Sequence, residues 1–249
     1  MKKDLYGHLS VYTETSFPFC KERDFFMSDS KKSKRFDVRT IVVLAIFAAL
    51  AFVVEIVFHI RVSFLTFDAK DAVITIGSLF YGPISGIIVS LVIAFIEMIT
   101  ISSTGFWGFV MNFVSTATFA GVASLIYKKK RTLNGAFIGL AAGSVSMVIV
   151  MLIMNLLITP IYTGMSVQAV AEMILPLLLP FNLAKAVLNT ALVLLLYKPV
   201  FIGLKAAHLA EGEMNFRFDR NTIIVIVSGV VLMTAALVVF FVVLGANIN

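Results

Sequence analysis

The chain has 249 residues, of which 60% are apolar and 14% charged, and its mean hydropathy is +1.01. A soluble globular domain is usually about 45–50% apolar and about 25% charged, so this composition excludes a water-soluble enzyme and indicates a membrane protein. The formal net charge of +6 raises the question of nucleic acid, but 14 of the 34 charged residues precede residue 38. The single cysteine, Cys20, excludes an intrachain disulfide.

Residues 1–38 are predicted to form a charged cytoplasmic tail. They lack the apolar segment of a signal peptide and end in a basic run, Lys31 to Arg35. We expect residues 39–200 to form a substrate-binding membrane domain and residues 201–220 a cytoplasmic linker. Residues 221–249 are expected to supply an additional transmembrane helix and a short outer tail.

Seven apolar segments follow the tail. An α-helix needs about 20 apolar residues to cross the hydrocarbon core, and all but the second segment approach that length. The second is too short for a normal crossing unless its neighbours shield its ends. In chain order the segments are Ile41–Ile60, Asp71–Tyr81, Ile84–Ile101, Phe106–Tyr127, Leu133–Ile158, Leu177–Tyr197 and Thr222–Leu244.

Lysine and arginine residues between the segments predict the orientation. They cluster after the fourth segment, at Lys128 to Arg131, and after the sixth, from Lys198 to Arg220, whereas the gap after the fifth has none. Cytoplasmic loops are enriched in these residues, so the N-terminus is predicted inside and, after seven crossings, the C-terminus outside. The positive charge is thus interpreted as the signal that sets the orientation of the chain across the lipid bilayer, and no nucleic-acid partner is expected.

Small residues spaced by four predict close helix packing. Gly135, Gly139 and Gly143 form one groove on the fifth predicted helix, into which a neighbouring helix can fit. Ala45 and Ala49 have the same spacing on the first. Ordinary packing inside the bundle is the alternative interpretation for both sets.

Ionisable and amide side chains within the apolar segments are candidate functional residues, because such groups are costly in lipid. Counted from the segment ends at about 1.5 Å per residue, most of them fall in one layer within about two turns of the outer face. The candidates are Glu55, Glu97, Lys185, Asn112, Asn155, Asn182 and Asn189.

The sixth helix carries the sharpest pattern among these candidates. Asn182, Lys185 and Asn189 are spaced i, i+3, i+7 and share one helical face. A cation with amide donors and acceptors in a hydrophobic wall can hold a polar aromatic ligand. Alternatively, Lys185 snorkels outward or forms a structural ion pair with Glu97 or Glu55, and the amides only link helices.

The gap after the first segment contains the sequence Phe67-Asp68-Ala69-Lys70-Asp71. Asp68 is suited to be the N-cap of the second helix, with Asp71 in its first turn, where an anion is favourable. A loop this polar beside the predicted layer could also act as a lid, in which case Phe67 and Asp68 are candidate ligand contacts.

Several enzyme classes lack their motifs in this sequence. It contains no G-x-x-x-x-G-K-[ST] phosphate-binding loop, no H-E-x-x-H and no cysteine cluster. The histidines, His8, His59 and His208, are not placed for a serine–histidine pair or a zinc site within the bundle. We therefore predict no catalytic or metal-binding residues, no resident cofactor and no enzymatic activity.

The pattern resembles a known family of transport proteins. F-D-x-K-D at Phe67–Asp71, Y-G-P at Tyr81–Pro83, and Leu179-Pro180-Phe181-Asn182-Leu183-Ala184-Lys185 with Leu196-Tyr197-Lys198 resemble the substrate-binding S components of energy-coupling factor (ECF) vitamin transporters. Within that family the sequence is most similar to the riboflavin-specific branch. The similarity covers about Arg39–Val200, and P-F-N-x-x-K is its most specific part.

The resemblance implies an all-α membrane protein with a six-helix bundle, here with an additional C-terminal helix. It implies a subunit that captures riboflavin, or a close flavin such as FMN, from outside and works with a transmembrane T component and two cytoplasmic ATPases. Asn182 and Lys185 would hydrogen-bond the isoalloxazine ring, and residues 62–70 would close over it. Ala45 and Ala49 would belong to the face that docks on the T component, although the next position is Val53.

Two other functions remain open at this point. An S component for another vitamin or heterocycle, such as pantothenate, thiamine or a queuosine precursor, would have the same fold. A stand-alone proton-coupled carrier could use Glu97 and Lys185 as a relay. The seventh segment and the charged tail lie outside the usual six-helix pattern of the family.

Overall fold

The computed structural model describes residues 38–129, 133–207 and 220–238. Residues 1–37 of the predicted cytoplasmic tail, residues 130–132, most of the predicted linker and the chain after residue 238 lie outside the described residues. In chain order the elements are α1 (Val38–Val57), β1 (Ile60–Val62), β2 (Leu65–Phe67), α2 (Lys70–Tyr81), α3 (Pro83–Thr100), α4 (Gly105–Lys129), α5 (Leu133–Thr163), α6 (Val167–Glu172), a π-helical turn (Ile174–Leu178), α7 (Leu179–Ala206) and α8 (Arg220–Val238).

The predicted all-α membrane fold is confirmed. Among the described residues, five helices are long and apolar enough to cross a membrane: α1, α3, α4, most of α5, and α7 together with the π-helical turn before it. The apolar part of α8 that the structure describes is shorter, Val227–Val238. The predicted seventh segment extends to Leu244, so its last residues lie outside the description.

The short second segment is an internal helix. Helix α2 has 12 residues, ten of them buried, and packs against α1, α3, α4 and α7. At about 1.5 Å per residue it is about 18 Å long, well short of the roughly 30 Å hydrocarbon core. Its neighbours shield its ends, as the sequence required of a helix this short, and its N-terminal residues therefore lie inside the bundle.

The long helices pack around α2, with α4 against α3 and α5, and α7 against α5 and α8. Gly139 and Gly143 of the glycine groove predicted on the fifth segment lie in the contact between α4 and α5. A Cβ at Gly139 would lie 2.6 Å from Ala123 O, and one at Gly143 would lie 2.8 Å from Phe119 O. The two backbones thus approach each other too closely for any larger residue.

The gap after α1 contains a β-hairpin that the sequence analysis treated as a loop. Strands β1 and β2 pair antiparallel, with Ile60 opposite Phe67 and Val62 opposite Leu65. A two-residue turn joins them, in which Ser63 adopts a φ of 55°. The inward-facing Val62, Leu65 and Phe67 are buried against α7 and the π-helical turn, which fixes the hairpin on the bundle.

The end of the fifth predicted segment lies further along the chain than expected. Helix α5 continues through Pro160 to Thr163, although the sequence suggested an end at Ile158. Proline removes only one intrahelical hydrogen bond, and Gly164, at a φ of 74°, donates its N–H to Pro160 O (3.1 Å) and ends the helix. The predicted outer gap also contains the short helix α6.

Helix α7 begins next to an irregular turn. The π-helical turn has the wide bond from Leu178 N to Met173 O (2.9 Å), and Pro180 then occupies the first turn of α7, where a missing N–H is tolerated. The predicted start at Leu177 is therefore close to the observed one. The turn directly precedes Phe181 and Asn182, which belong to the candidate site.

Candidate binding cavity

A cavity opens at the end of the bundle that carries the hairpin. The space within it is about 720 Å³, including the part open to solvent. Its lining comes from α1, the hairpin, α3, α4, α5 and α7, and from the loop between α3 and α4. The polar lining residues are Glu55, His59, Thr66, Glu97, Ser102, Ser103, Thr104, Asn112, Ser115, Tyr162, Asn182 and Lys185. The predicted layer of polar residues thus contributes Glu55, Glu97, Asn112, Asn182 and Lys185 to one cavity.

A buried lysine that the sequence analysis did not select lies behind this lining. Lys70, the first residue of α2, is 1% exposed. Its Nζ lies 3.2 Å from Glu55 Oε2, 3.2 Å from Asp68 Oδ2 and 3.0 Å from Glu97 Oε1. One ammonium therefore connects carboxylates from α1, α3 and the segment after the hairpin. Glu55 and Glu97 reach the cavity, whereas Lys70 and Asp68 do not line it.

Lys185 is held by partners other than those expected. Its Nζ donates to Asp68 Oδ2 at 2.7 Å and lies 3.8 Å from Asp71 Oδ2, and the side chain is almost fully buried. The alternative pairing with Glu97 or Glu55 is therefore wrong, and the lysine does not snorkel outward. Because an ammonium has three N–H donors, Lys185 can contact Asp68 and still offer a donor to the cavity that it lines.

The helix cap predicted for Asp68 is supplied by another residue. The N-cap position of α2 is Ala69, and no side chain of its own segment caps the helix. Instead, Asn189 Oδ1 accepts the Ala72 N–H at 2.8 Å, while its Nδ2 donates to Asp68 O and Lys185 O. The prediction for Asp68 is wrong because two buried ammoniums compete for its carboxylate, and an ion pair in a low dielectric outweighs a cap.

Asp71 lies in the first turn of α2, as predicted, and is fully buried. Its Oδ1 accepts a hydrogen bond from Thr116 Oγ1 of α4 at 2.6 Å. The polar cluster therefore joins α1, α2, α3, α4 and α7. Among the described residues, no group of three His, Cys, Asp or Glu side chains could hold a metal ion.

Two lining amides are oriented by their partners. Asn112 Nδ2 donates to Glu97 Oε2 at 2.8 Å, and Asn182 Nδ2 donates to Leu178 O, at the end of the π-helical turn, at 2.7 Å. Each amide nitrogen must face its acceptor, so each leaves its Oδ1 as the acceptor available to a ligand. Together with Lys185, the cavity thus presents acceptors and a donor.

Three other predicted contacts lie outside the cavity lining. Asn155 is fully buried and satisfied within α5, donating to Met151 O at 2.7 Å and accepting from Thr159 Oγ1 at 3.0 Å. Asn189 is occupied by the α2 cap. Phe67 packs edge-on against Phe181, with ring centroids 6.0 Å apart, and supports the wall from behind. Their contact with a ligand stays a prediction, as does that of Asp68.

His59, between α1 and β1, also lines the cavity. Its Nδ1 hydrogen bonds with Glu55 Oε1 at 2.9 Å, and its Nε2 accepts from Arg61 Nε at 3.3 Å. Burial, reinforced by the positive charge of Arg61, lowers the pKa of His59 below its ordinary value. A neutral ring that donates through Nδ1 and accepts through Nε2 fits both contacts. Arg61 also donates to Ile101 O at 3.3 Å, linking the hairpin to the end of α3.

The residues predicted to dock on a partner lie on the surface of the bundle. Ala45 and Ala49 of α1 are both exposed, as is Val53, the next position at the same spacing. Their small side chains face away from the other described helices. This placement is compatible with a docking face, and the role itself stays a prediction.

The comparisons with known proteins agree on one family. The model of the ECF transporter substrate-specific component matches residues 39–197. Riboflavin transporter FmnP of Bacillus subtilis (strain 168) is 28% identical over 187 residues, covering 69% of this chain and 98% of FmnP. Riboflavin transporter RibU of Staphylococcus aureus (strain TCH60) is 28% identical over 182 residues, covering 69% of this chain and 95% of RibU.

A solved structure, described as "Structure and mechanism of the S component of a bacterial ECF transporter", has a similar fold. The TM-score is 0.58 at 29% identity, and the match covers 67% of this chain and 98% of that one. Helix α8 lies beyond the residues that the family model matches. The chain belongs to the family of substrate-specific components of ECF transporters.

Proposed function

We propose that this subunit captures riboflavin, or a close flavin such as FMN, from outside the cell. The observation that carries the proposal is the placement of Asn182 and Lys185 in a cavity that also contains Phe181, Phe64 and Tyr162. A flavin has a large planar ring for apolar and aromatic contacts. The pyrimidine edge of that ring carries carbonyl acceptors and an N–H donor, which match the Lys185 ammonium and the Asn182 carbonyl oxygen.

The relatives support the same ligand. Both FmnP and RibU are named riboflavin transporters, and the alignments cover 98% and 95% of their lengths. The sequence resemblance included the motif Pro180-Phe181-Asn182 with Lys185, and three of its residues, Phe181, Asn182 and Lys185, form the α7 part of the cavity wall. The other vitamins considered would use the same fold, but no described side chain favours one of them.

Ligand identification tests this proposal directly. The full chain is purified in detergent, and the small molecules that copurify with it are identified by mass spectrometry. Flavin-free protein is then titrated with riboflavin, whose fluorescence should be quenched on binding. We expect flavin in the purified protein, and replacement of Asn182 by Leu should weaken binding about tenfold or more, because a buried partner of the ring is lost. Colourless protein that leaves riboflavin fluorescence unchanged would refute the proposal.

We also propose that the chain works with a transmembrane T component and two ATPase subunits. Membership of the ECF family supports this assembly, and the exposed Ala45 and Ala49 offer a smooth helix face for close contact. Uptake of labelled riboflavin should then require coexpressed partners and ATP. Uptake by the chain alone that collapses with an uncoupler would instead support a stand-alone proton-coupled carrier.

The proposed orientation places the N-terminus in the cytoplasm and the C-terminus outside. The chain is well suited to a test, because Cys20 is its only cysteine and lies in the predicted tail. A membrane-impermeant thiol reagent should leave Cys20 unlabelled in intact cells and label it after lysis. In a Cys20→Ser variant with a cysteine added after Asn249, labelling should occur in intact cells, and the reverse pattern would overturn the orientation.

A further inference from the structure

The cavity lining falls into two chemically different sets contributed by different elements. The hairpin, α5 and α7 supply Phe64, Met151, Tyr162 and Phe181, beside Asn182 and Lys185. Helices α1, α3 and α4, with the loop between α3 and α4, supply mainly carboxylates, hydroxyls and an amide, together with Ile101, Gly108 and Met111. The members of this second set, called the hydroxyl wall below, are Glu55, Glu97, Ser102, Ser103, Thr104, Asn112 and Ser115.

The carboxylates of the hydroxyl wall share one buried counter-ion. Lys70 has no access to the cavity, yet its ammonium lies within 3.2 Å of both Glu55 and Glu97. The third oxygen around it belongs to Asp68, so three carboxylate oxygens surround an ammonium with three N–H bonds. Lys70 donates hydrogen bonds to Glu55 and Asp68 and lies in ion-pair contact with Glu97. Because Lys70 does not line the cavity, any effect it has on binding must pass through these partners.

The influence of Lys70 extends one residue further along the wall. Glu97 Oε1 lies on Lys70, so its second oxygen, Oε2, is the one that accepts the Asn112 amide N–H at 2.8 Å. This contact fixes the amide of Asn112, which lines the cavity and whose Oδ1 accepts no hydrogen bond from the described residues. Lys70, Glu97 and Asn112 thus form a chain of fixed contacts from the core of the bundle to the ligand space.

We propose that Lys70 is a positioning residue that holds Glu55, Glu97 and Asn112 as an acceptor-rich wall for the hydroxyl-bearing part of the ligand. The inference rests on the proposed function, because riboflavin combines a flavin ring with a polyhydroxyl chain. Hydroxyl groups donate well to carboxylate and amide oxygens, and such charge-assisted hydrogen bonds are the stronger ones. The ring then lies against α5 and α7, and the hydroxyl chain extends toward α3 and α4.

A pair of flavins separates the two parts of the site. Riboflavin carries the polyhydroxyl chain, whereas lumiflavin has the same ring with a methyl group in its place. Both are titrated into the full chain, wild type and Lys70→Met, by fluorescence quenching. Lys205→Met, which removes an exposed lysine from α7, serves as the matched control. We expect Lys70→Met to weaken riboflavin binding about tenfold to a hundredfold and lumiflavin binding by less than about threefold.

Two further variants keep the inference testable if Lys70→Met fails to fold. Glu97→Gln retains the side-chain size but removes one charged acceptor, and it should also weaken riboflavin more than lumiflavin. Lys70→Arg keeps the positive charge and should preserve more of the preference for riboflavin than Lys70→Met does. A loss of preference in these variants at unchanged melting temperature is an effect that a merely structural role would not produce.

The outcomes distinguish this inference from the proposed function. If the wild-type chain binds neither flavin, the proposed function is refuted and the inference falls with it. If the wild-type chain binds riboflavin and the folded Lys70 or Glu97 variants weaken both flavins equally, or neither, only the inference is overturned. A selective loss of riboflavin binding supports it.

Discussion

The ion pair between Lys185 and Asp68 gives a quantitative prediction about the free energy of unfolding, and a double-mutant cycle can test it. The two groups come from α7 and from the segment between the hairpin and α2, and their atoms are 2.7 Å apart. Both side chains are buried, at 6% and 0% exposure. Lys185→Met removes the charge while retaining the apolar stem, and Asp68→Asn removes the opposite charge at nearly the same size.

The structure gives the expected magnitudes. Breaking a buried ion pair from one side costs about 3–5 kcal/mol, because the remaining charge is left unpaired. Lys185→Met should fall near the lower limit, since Asp68 keeps Lys70 as a partner at 3.2 Å. Asp68→Asn should cost more, toward the upper part of this range, because it leaves the buried Lys185 with only Asp71, at 3.8 Å. Once one partner is neutral, loss of the other costs less. The double variant should therefore lose about 1–3 kcal/mol less stability than the two single variants lose together.

The assay is unfolding of the ligand-free chain in one detergent, followed by the fluorescence of its single tryptophan, Trp107. Lys205→Met is the control, because that lysine is exposed on the same helix. Its stability should stay within about 0.5 kcal/mol of wild type. If the stability losses of the two single variants sum to the loss of the double variant within about 0.5 kcal/mol, direct coupling of Lys185 and Asp68 is refuted.

Three further predictions concern packing, the helix cap and the docking face. Gly139→Ala should destabilise the chain by about 1–3 kcal/mol, because its Cβ would meet Ala123 O at 2.6 Å. Gly203→Ala is the control, because a Cβ at Gly203 would meet open space, and it should raise the stability by up to about 1 kcal/mol. Equal melting temperatures of the two variants would contradict the close contact of α4 and α5. Asn189→Leu should cost about 1–2 kcal/mol through loss of the α2 cap, and an unfolding curve that does not differ from that of the wild type would exclude the cap. Ala49→Phe should reduce copurification with the T component and leave riboflavin affinity unchanged; an unaltered complex would remove this face from the interface.

The long helices could be predicted from the sequence, because hydropathy over about 20 residues is a local property that lipid enforces strongly. The glycine groove could be predicted for a similar reason, since only residues without a Cβ allow two backbones to approach so closely. The hairpin was not predicted. Its strands have three residues each, and their pairing is stabilised by burial of Val62, Leu65 and Phe67 against a helix more than 100 residues later in the chain.

The candidate site was predicted in part. Glu97, Asn112, Asn182 and Lys185 reach the cavity because ionisable and amide groups on long helices turn toward the bundle interior. Asn155 is also buried, but its donor and acceptor are both satisfied within α5. Sequence position alone could not distinguish the amides that line the cavity from Asn155, because the difference depends on the hydrogen-bond partners that each amide has in the folded bundle.

The missed residues have a common physical origin in the length of α2. Lys70 lies between two apolar segments and Asp71 begins the second of them, where a sequence places residues near water, yet both are fully buried. A helix of about 18 Å cannot reach both surfaces of a roughly 30 Å hydrocarbon core, so at least one of its ends must lie at depth. In this fold that end is the start of α2, where Lys70 and Asp71 are buried. Charges forced to that depth need partners, and Glu55, Glu97 and Lys185 supply them from long helices. The unusually short segment therefore predicts the ion cluster: charged residues that flank such a segment belong with the intramembrane residues, and here they anchor the walls of the binding cavity.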